Sequence, residues 1–333
     1  MSPTPPFAGR TVILLSRFDE AHAAHAALKR RALERLGCAV AVVEHTPKGF
    51  LARIRPGDLP ERLGQAMRDH RPDLVLALGP DLPAPGIIAE MRQIHPAPWA
   101  LWWPSDGGVL PTWVDVQSVD RTWVTSAELV GKIPGVRYLP HACDPSVHRA
   151  LRPQAEYRAN VVFVGDATPR REEMLSEILE CGVAIWGPGW RKTRLKEYCR
   201  GEVKSSEEYV RAYAGATVAL NFHREGPAGQ VPSASGCNAR TFELAAMGLA
   251  QVVDARGDLP ALFSVGDEVL TFDDVDDLKP LVNDLVSDHT RAESIGLAAR
   301  RRAIGEHTYI HRVGVLLEEM LGGGSSEFGG VRG

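Results

Sequence analysis

The sequence predicts an α/β protein with two doubly wound parallel sheets, one in each half of the chain. Short runs of β-branched and apolar residues alternate with segments of helical periodicity, which is the pattern of strand–helix–strand units. A chain of 333 residues is long enough for two domains that each bury a core. Between the two series, residues 136–145 contain two prolines and little periodicity, and this segment predicts the interdomain connection.

The elements of the first half follow from the alternation. Helical periodicity favours helices at 21–36, 86–95 and 127–132, the last with Ser126 as its N-cap. The fully apolar run at 74–78 is typical of a buried strand. Predicted strands cover residues 11–15, 39–43, 74–78, 99–103 and 121–124.

The second half repeats the pattern from residue 160. Predicted strands cover 161–164, 183–186, 218–221 and 251–253, and predicted helices cover 171–180 and 209–214. Ser205 and Glu208 have the spacing of a capping box. Further helices are expected after Cys237 and from about residues 274, 291 and 310. Open parallel sheets bind ligands beyond the carboxyl ends of their strands, so both halves are expected to face a common cleft.

Composition excludes several classes of function. With 38 Lys and Arg against 42 Asp and Glu, the chain has no excess of positive charge for nucleic acid or an anionic membrane. Five cysteines without a C-x-x-C pair favour reduced thiols in the cytosol. The N-terminal residues lack the apolar core of a signal peptide, and no apolar run approaches the roughly 20 residues of a membrane span. A cytoplasmic location is therefore expected.

The run 236–248 combines a polar loop with the start of an apolar helix. Free amides at a helix N-terminus and the positive end of the helix dipole suit phosphate, which favours a loop around Gly236 and Asn238 as a binding element. Glu243, one turn into the helix, could accept two hydrogen bonds from a ribose diol. The alternative is an ordinary amphipathic helix with an incidental glutamate.

Several short motifs occur in a fixed order. They are FVG (163–165) with RR (170–171), WGPGW (186–190), GEV (201–203), LNFH (220–223), NARTFE (238–243) and HTY (307–309) with Arg312. This series resembles the C-terminal domain of the CgeB-like glycosyltransferases, relatives of the GT-B nucleotide-sugar glycosyltransferases. LPHACDP (139–145) is similar to their junction sequence. PDLVL (72–76) and WPSD (103–106) extend a fainter resemblance to the first half.

The resemblance implies a GT-B fold with two Rossmann-like domains. Residues 1–140 would form the acceptor-side domain, 141–306 the donor-binding domain, 307–321 a closing helix that crosses back to the first domain, and 322–333 a disordered tail. The donor would be a UDP-, GDP- or dTDP-sugar, and the acceptor a glycan, a protein or a small molecule. Retention of the anomeric configuration is suggested by the resemblance alone. No Asp-x-Asp motif has a suitable setting, so no metal and no further cofactor is expected.

Roles for individual residues follow from the same resemblance. Glu243 is similar to the glutamate that holds the ribose hydroxyls. Many relatives carry an earlier glutamate near the donor sugar, and here Ser235 occupies that position. Asn238 and the loop amides around Gly236 could take its place. Gly201, Glu202 and Val203 would lie against the base, unless they form a plain strand end.

Arginines are the candidate ligands of the diphosphate. A planar guanidinium fits two phosphate oxygens at once, which favours Arg170, Arg171 and Arg240 at predicted strand-to-helix turns. A cation at a helix N-terminus opposes the dipole, so a bound anion explains Arg170 and Arg171 better than a solvated helix start does.

Two residues are candidates for contact with the reacting sugar. Asp106 follows an aromatic strand, although it could be an Asx-turn residue. His223 ends the central strand of the second half, although a buried structural histidine is an equal alternative. Two other functions stay open: a nucleotide-sugar epimerase or hydrolase of the same fold, and a non-catalytic nucleotide-sugar or carbohydrate-binding protein.

Overall fold

The computed structural model describes residues 4–16, 23–45, 59–79, 82–104, 114–224 and 235–322. These residues form two six-stranded parallel sheets with flanking helices, which confirms the predicted α/β class. The chain divides into two compact units, Met1–Pro140 with Tyr309–Gly333, and His141–Thr308. Of the predicted tail, only Gly322 is among the described residues.

The first sheet has the strand order β2-β1-β3-β4-β5-β6. Its strands β1 to β6 are Thr11–Ser16, Ala39–Glu44, Leu74–Leu78, Trp99–Trp103, Arg121–Val124 and Val136–Tyr138. Helices α1 to α3 are Ala23–Arg35, Leu59–His70 and Pro85–Ile94. Every residue of β3 and β4 is buried, as expected for parallel strands covered on both faces.

Two expectations for the first half are wrong. Val136–Tyr138 is not part of a connection, because it pairs with β5 and completes the sheet. Residues 127–132 do not form an α-helix: Ala127–Leu129 is a single 3₁₀ turn, and the Ser126 side chain makes no capping hydrogen bond.

The second sheet has the order β12-β11-β10-β7-β8-β9. Its strands β7 to β12 are Ala159–Val164, Val183–Trp186, Cys199–Gly201, Ala216–Asn221, Ala250–Asp254 and Leu270–Phe272. Helices α4 to α10 are Pro169–Ser176, Ser206–Ala214, Ala239–Met247, Leu259–Leu262, Val275–Ser287, His289–Glu306 and Tyr309–Leu321. Strands β8 and β9 lie on one side of β7, and β10 to β12 lie on the other. The strand order therefore reverses between β7 and β10, where doubly wound sheets bind their ligands.

Both faces of the second sheet are covered. Phe163 and Phe222 belong to the buried cluster on one face, which α8 completes, while Val162 and Trp186 belong to the cluster on the other. Helix α5 begins where the Ser205 hydroxyl accepts the amide of Glu208, as predicted. The last helix, α10, packs on α1 within the first unit. Among the described residues, no helix has both the length and the apolar character needed to cross a membrane.

Glycines bring three strand ends together beside the switch point. Gly187 has φ 138°, and a Cβ there would lie 2.1 Å from the carbonyl oxygen of Gly165. The Gly187 amide donates to the Gly201 carbonyl at 2.8 Å, and the Trp190 indole donates to the Gly165 carbonyl at 2.7 Å. A side chain at position 187 would separate these loops, so glycine is required for the close approach.

Candidate functional site

A buried amide network connects the end of β10 to the start of α6. Asn221 Nδ2 donates to Thr241 Oγ1 at 3.0 Å and to Gln251 Oε1 at 3.1 Å. Asn238 Nδ2 donates to Asn221 Oδ1 at 2.8 Å, and Asn238 Oδ1 accepts the Thr241 amide at 3.1 Å as the helix N-cap. These bonds fix the direction in which the first turn of α6 leaves the sheet.

The first amides of α6 stay available after capping. No acceptor among the described residues takes the amide hydrogens of Ala239 and Arg240. They stand at the positive end of the helix, directly beyond the carboxyl end of β10. This part of the helix can therefore bind an anion such as a phosphate.

Glu243 lies one turn further along α6 in a pocket of buried polar groups. It is 9 % exposed, and its Oε1 is 3.7 Å from Nε2 of the buried His148. Burial raises the pKa of the Tyr209 hydroxyl well above its usual value, and the neighbouring Glu243 carboxylate raises it further. The residue is thus nearly enclosed, with 12 % of its side chain exposed.

Arg240 is held beside Glu243 and two tyrosines of α5. Burial alone would lower the pKa of the Arg240 guanidinium, but Tyr213, Tyr209 and Glu243 raise it. Its guanidinium also lies over the ring of Phe163, 5.8 Å from the centroid. In the described part of the chain, neither Arg240 Nε nor the Tyr209 hydroxyl makes a hydrogen bond of good geometry. Both atoms are buried, so the two side chains act on the site through their interaction with Glu243.

Asp254, the last residue of β11, organises a second group of charges. Its Oδ1 accepts from the amide of His223 at 2.9 Å and from His223 Nδ1 at 2.8 Å. Its Oδ2 accepts from the buried Arg256 and lies 3.9 Å from Arg170 Nη1. Burial would raise the pKa of this carboxyl, but the hydrogen bonds from His223 and the charge of Arg256 lower it to about 2. Asp254 is therefore a buried carboxylate that stays ionised.

His223 is fixed as a neutral ring. Its Nε2 accepts the amide hydrogen of Asn238 at 2.9 Å, so the proton resides on Nδ1, which donates to Asp254. Both ring nitrogens are engaged within the protein. Through the bond to Asn238, His223 orients the loop before α6.

The two adjacent arginines have different environments. Arg171 is 4 % exposed, and its guanidinium donates to the Phe222 carbonyl at 3.2 Å and to the carbonyl and carboxylate of Asp166. Burial would raise the pKa of the Asp166 carboxyl, but Arg171 holds it below its usual value. The side chain of Arg170 is 24 % exposed and faces Asp254. Arg170 is thus the one of the pair whose side chain is partly accessible to solvent.

A carboxylate stands next to Ser235, where the sequence offers none locally. The Ser235 hydroxyl donates to the carboxylate of Asp258, and the Asp258 amide donates to the Ser235 carbonyl at 3.0 Å. Asp258 is buried and follows β11, 23 residues further along the chain. Gly236, on the other side of Ser235, is buried in the loop that leads to α6.

The segment predicted to read the base begins at the end of β9. Gly201 has φ 141°, and a Cβ there would meet no atom within 4 Å, so the strand end faces open space. Glu202 is exposed, and Val203 packs against the apolar cluster on one face of the sheet. The geometry leaves room for a planar group over Gly201.

Asp106 lies outside the described residues. Several residues of the site receive no role from the sequence, because they come from other segments: His148, Asn221, Asp254, Arg256 and Asp258. One signal could have identified Asn221 and Asp254. Each is a polar residue at the carboxyl end of an apolar strand, and ligands bind at that edge of a parallel sheet.

Residues 170–318 match a family model described as glycosyl transferase-like. No curated protein matches the sequence significantly. Solved structures show a broader likeness. A glycosyltransferase from Rickettsia africae has a TM-score of 0.69 and 11 % identity, over 94 % of this chain and 99 % of its own. A sucrose-phosphate synthase from Thermosynechococcus elongatus has a TM-score of 0.64 and 15 % identity, over 93 % and 98 %.

The protein has the GT-B fold. A third similar structure, HepE from Anabaena, was solved with UDP and glucose, and it has a TM-score of 0.60 and 13 % identity over 93 % of this chain and 98 % of its own. HepE was also solved with UDP-glucose. At sequence identities this low, the structural likeness establishes the shared fold and nothing more specific. The CgeB-like resemblance stays a prediction.

Proposed function

We propose that this protein is a glycosyltransferase of the CgeB-like type, which uses a nucleotide-diphosphate sugar bound by its second unit. The observation that carries the proposal is the position of Glu243. A nearly enclosed carboxylate stands one turn beyond the free amides of α6, at the switch point of a doubly wound sheet. That spacing matches a ribose next to its phosphates.

Each part of the nucleotide has a partner of suitable chemistry. The carboxylate of Glu243 would accept hydrogen bonds from the ribose hydroxyls. The amides of Ala239 and Arg240, with Arg170, would bind the diphosphate and stabilise its charge as it leaves. The open strand end at Gly201 would receive the base. Arg171 would act indirectly, by fixing the Asp166 loop beneath the site.

The donor sugar would lie near Ser235 and Asp258. Asp258 supplies a carboxylate there, and Ser235 holds it by a hydrogen bond. His223 would position the loop through Asn238, which leaves Asp106 as the candidate for the reacting group. Binding of UDP and UDP-glucose by HepE supports a uridine donor, with GDP- and dTDP-sugars as alternatives. Metal independence, retention and a cytoplasmic location belong to the same proposal.

A donor screen tests this function. We expect calorimetric binding to one of the UDP-, GDP-, dTDP- or CMP-sugars, and release of its nucleotide (a nucleoside diphosphate, or CMP from a CMP-sugar) in the presence of a broad acceptor mixture and EDTA. Turnover that stops in EDTA and returns with Mg²⁺ would contradict metal independence. Turnover without acceptor would indicate a hydrolase or epimerase, and binding without turnover a binding protein. No binding to any of the donors would contradict the proposed function itself.

A further inference from the structure

His148 lies in a rigid turn within the second unit. The Asp144 carbonyl accepts the amides of Val147 and His148 at 2.9 and 2.8 Å, and the Asp144 carboxylate accepts the amide and hydroxyl of Ser146 at 2.9 and 2.7 Å. The ring of His148 is buried, with only 4 % of the side chain exposed. Its direction is therefore set by the turn.

The turn also fixes which ring nitrogen carries the proton. Nδ1 of His148 accepts the amide hydrogen of Asp144 at 3.1 Å. A neutral imidazole that accepts at Nδ1 must carry its hydrogen on Nε2. That N–H faces Oε1 of Glu243 at 3.7 Å, just beyond hydrogen-bond distance. Polar contacts of this kind often shorten when a ligand binds.

Glu243 needs such a partner to bind a diol. Two further polar groups, the Tyr209 hydroxyl and the Arg240 guanidinium, lie close enough to Glu243 to interact with its charge. A donor fixed on Oε1 would leave Oε2, with the second lone pair of Oε1, for the two ribose hydroxyls. Without it, the side chain could rotate toward Arg240 and Tyr209.

We propose that His148 is the positioning residue that sets the preference of this site for ribonucleotides over nucleotides without the ribose hydroxyls. This inference rests on the proposed function, because it assumes that Glu243 receives a ribose. His148 would act through Glu243 and would not touch the nucleotide itself.

Two amide substitutions separate positioning from structure. Asparagine places an amide oxygen near the position of Nδ1, so His148→Asn keeps the bond to the Asp144 amide and loses the donor toward Glu243. Glutamine places an amide nitrogen near the position of Nε2, so His148→Gln keeps the donor and loses the bond to Asp144. The full-length variants would be titrated with UDP and GDP, each against its 2′,3′-dideoxy counterpart, and their thermal unfolding compared with that of the wild type.

We expect the wild type to prefer the ribonucleotide by about tenfold or more, the range for hydrogen bonds to a charged group. His148→Asn should reduce this preference to about threefold or less, while His148→Gln should retain most of it even if its melting temperature falls. A preference that survives in His148→Asn and is lost in His148→Gln would overturn the role of His148 alone. Absence of any preference in the wild type would overturn the ribose assignment of Glu243, and this inference with it.

Discussion

Replacement of Asp254 by asparagine is expected to lower the free energy of unfolding of the second unit by about 3–5 kcal/mol, the range for removing one partner of a buried ion pair. Asparagine preserves the volume of the side chain but removes the carboxylate that pairs with the buried Arg256. It also weakens the bond that fixes the orientation and tautomer of the His223 ring. Hydrogen exchange of the β10 and β11 amides at increasing urea concentrations would measure this loss.

An exposed aspartate–arginine pair provides the control. Asp284 pairs with Arg291, and both side chains are roughly half exposed. Because solvent screens such pairs, Asp284→Asn should cost less than about 1 kcal/mol. Equal losses in the two variants would contradict the account of Asp254 as a buried charge at the centre of a network.

The pH dependence of the free energy of unfolding, compared between the wild type and Asp254→Asn, gives a second readout. The pKa of Asp254 is about 2 in the folded protein, below the ordinary aspartate value of about 3.9. The unfolded chain therefore binds this proton more tightly, so the stability from the carboxylate is complete above about pH 4 and is lost as the pH falls toward 2. The difference between wild type and Asp254→Asn should shrink over that interval. A constant difference would contradict the lowered pKa.

Glu243→Gln is expected to weaken ribonucleoside diphosphate binding by about 1.5–3 kcal/mol, which corresponds to roughly 10- to 100-fold in affinity. Glutamine keeps the size of the side chain but replaces one acceptor oxygen by a donor, so it cannot accept both ribose hydroxyls as a charged group does. Titration calorimetry with UDP and GDP would measure the change.

Two controls define the meaning of this loss. Affinity for the 2′,3′-dideoxy nucleotide should be the same in wild type and Glu243→Gln, since the hydroxyls are absent. Glu293→Gln, at an exposed position of α9 in the same unit, should bind ribonucleotides as the wild type does. Unchanged ribonucleotide affinity in Glu243→Gln would show that the glutamate does not receive the ribose.

The long strands were predictable because their apolar runs are continuous. Leu74–Leu78 has no polar residue, which is typical of a strand buried on both faces. The three-residue strands β6, β9 and β12 were not predicted as strands. Segments this short carry no clear periodicity, and they are strands because they pair with a neighbouring strand. Val136–Tyr138, for example, is defined by its pairing with β5. Helix α2 was also not predicted, although Leu63 and Met67, four residues apart, give it a buried face.

The candidate site also has a part that the sequence could predict and a part that it could not. Asn238 and Glu243 belong to one local segment, so their relation to α6 could be predicted from spacing alone. His148 and Asp254 reach the site from other strand ends and turns, and no local pattern connects them to it. Arg170 and Arg171 point in directions about 100° apart on α4, as neighbours on a helix do. The sequence could not show which of the two arginines faces Asp254, because that depends on the residue at which the Thr168 cap begins the helix.

A crystal structure of the protein with a bound nucleoside diphosphate, UDP or GDP, tests the central claim most directly. The account predicts the ribose hydroxyls within about 2.5–3.0 Å of the Glu243 carboxylate and the diphosphate at the first amides of α6, with Arg170 in contact. A nucleotide bound elsewhere on the chain, or bound with its ribose turned away from Glu243, would contradict it.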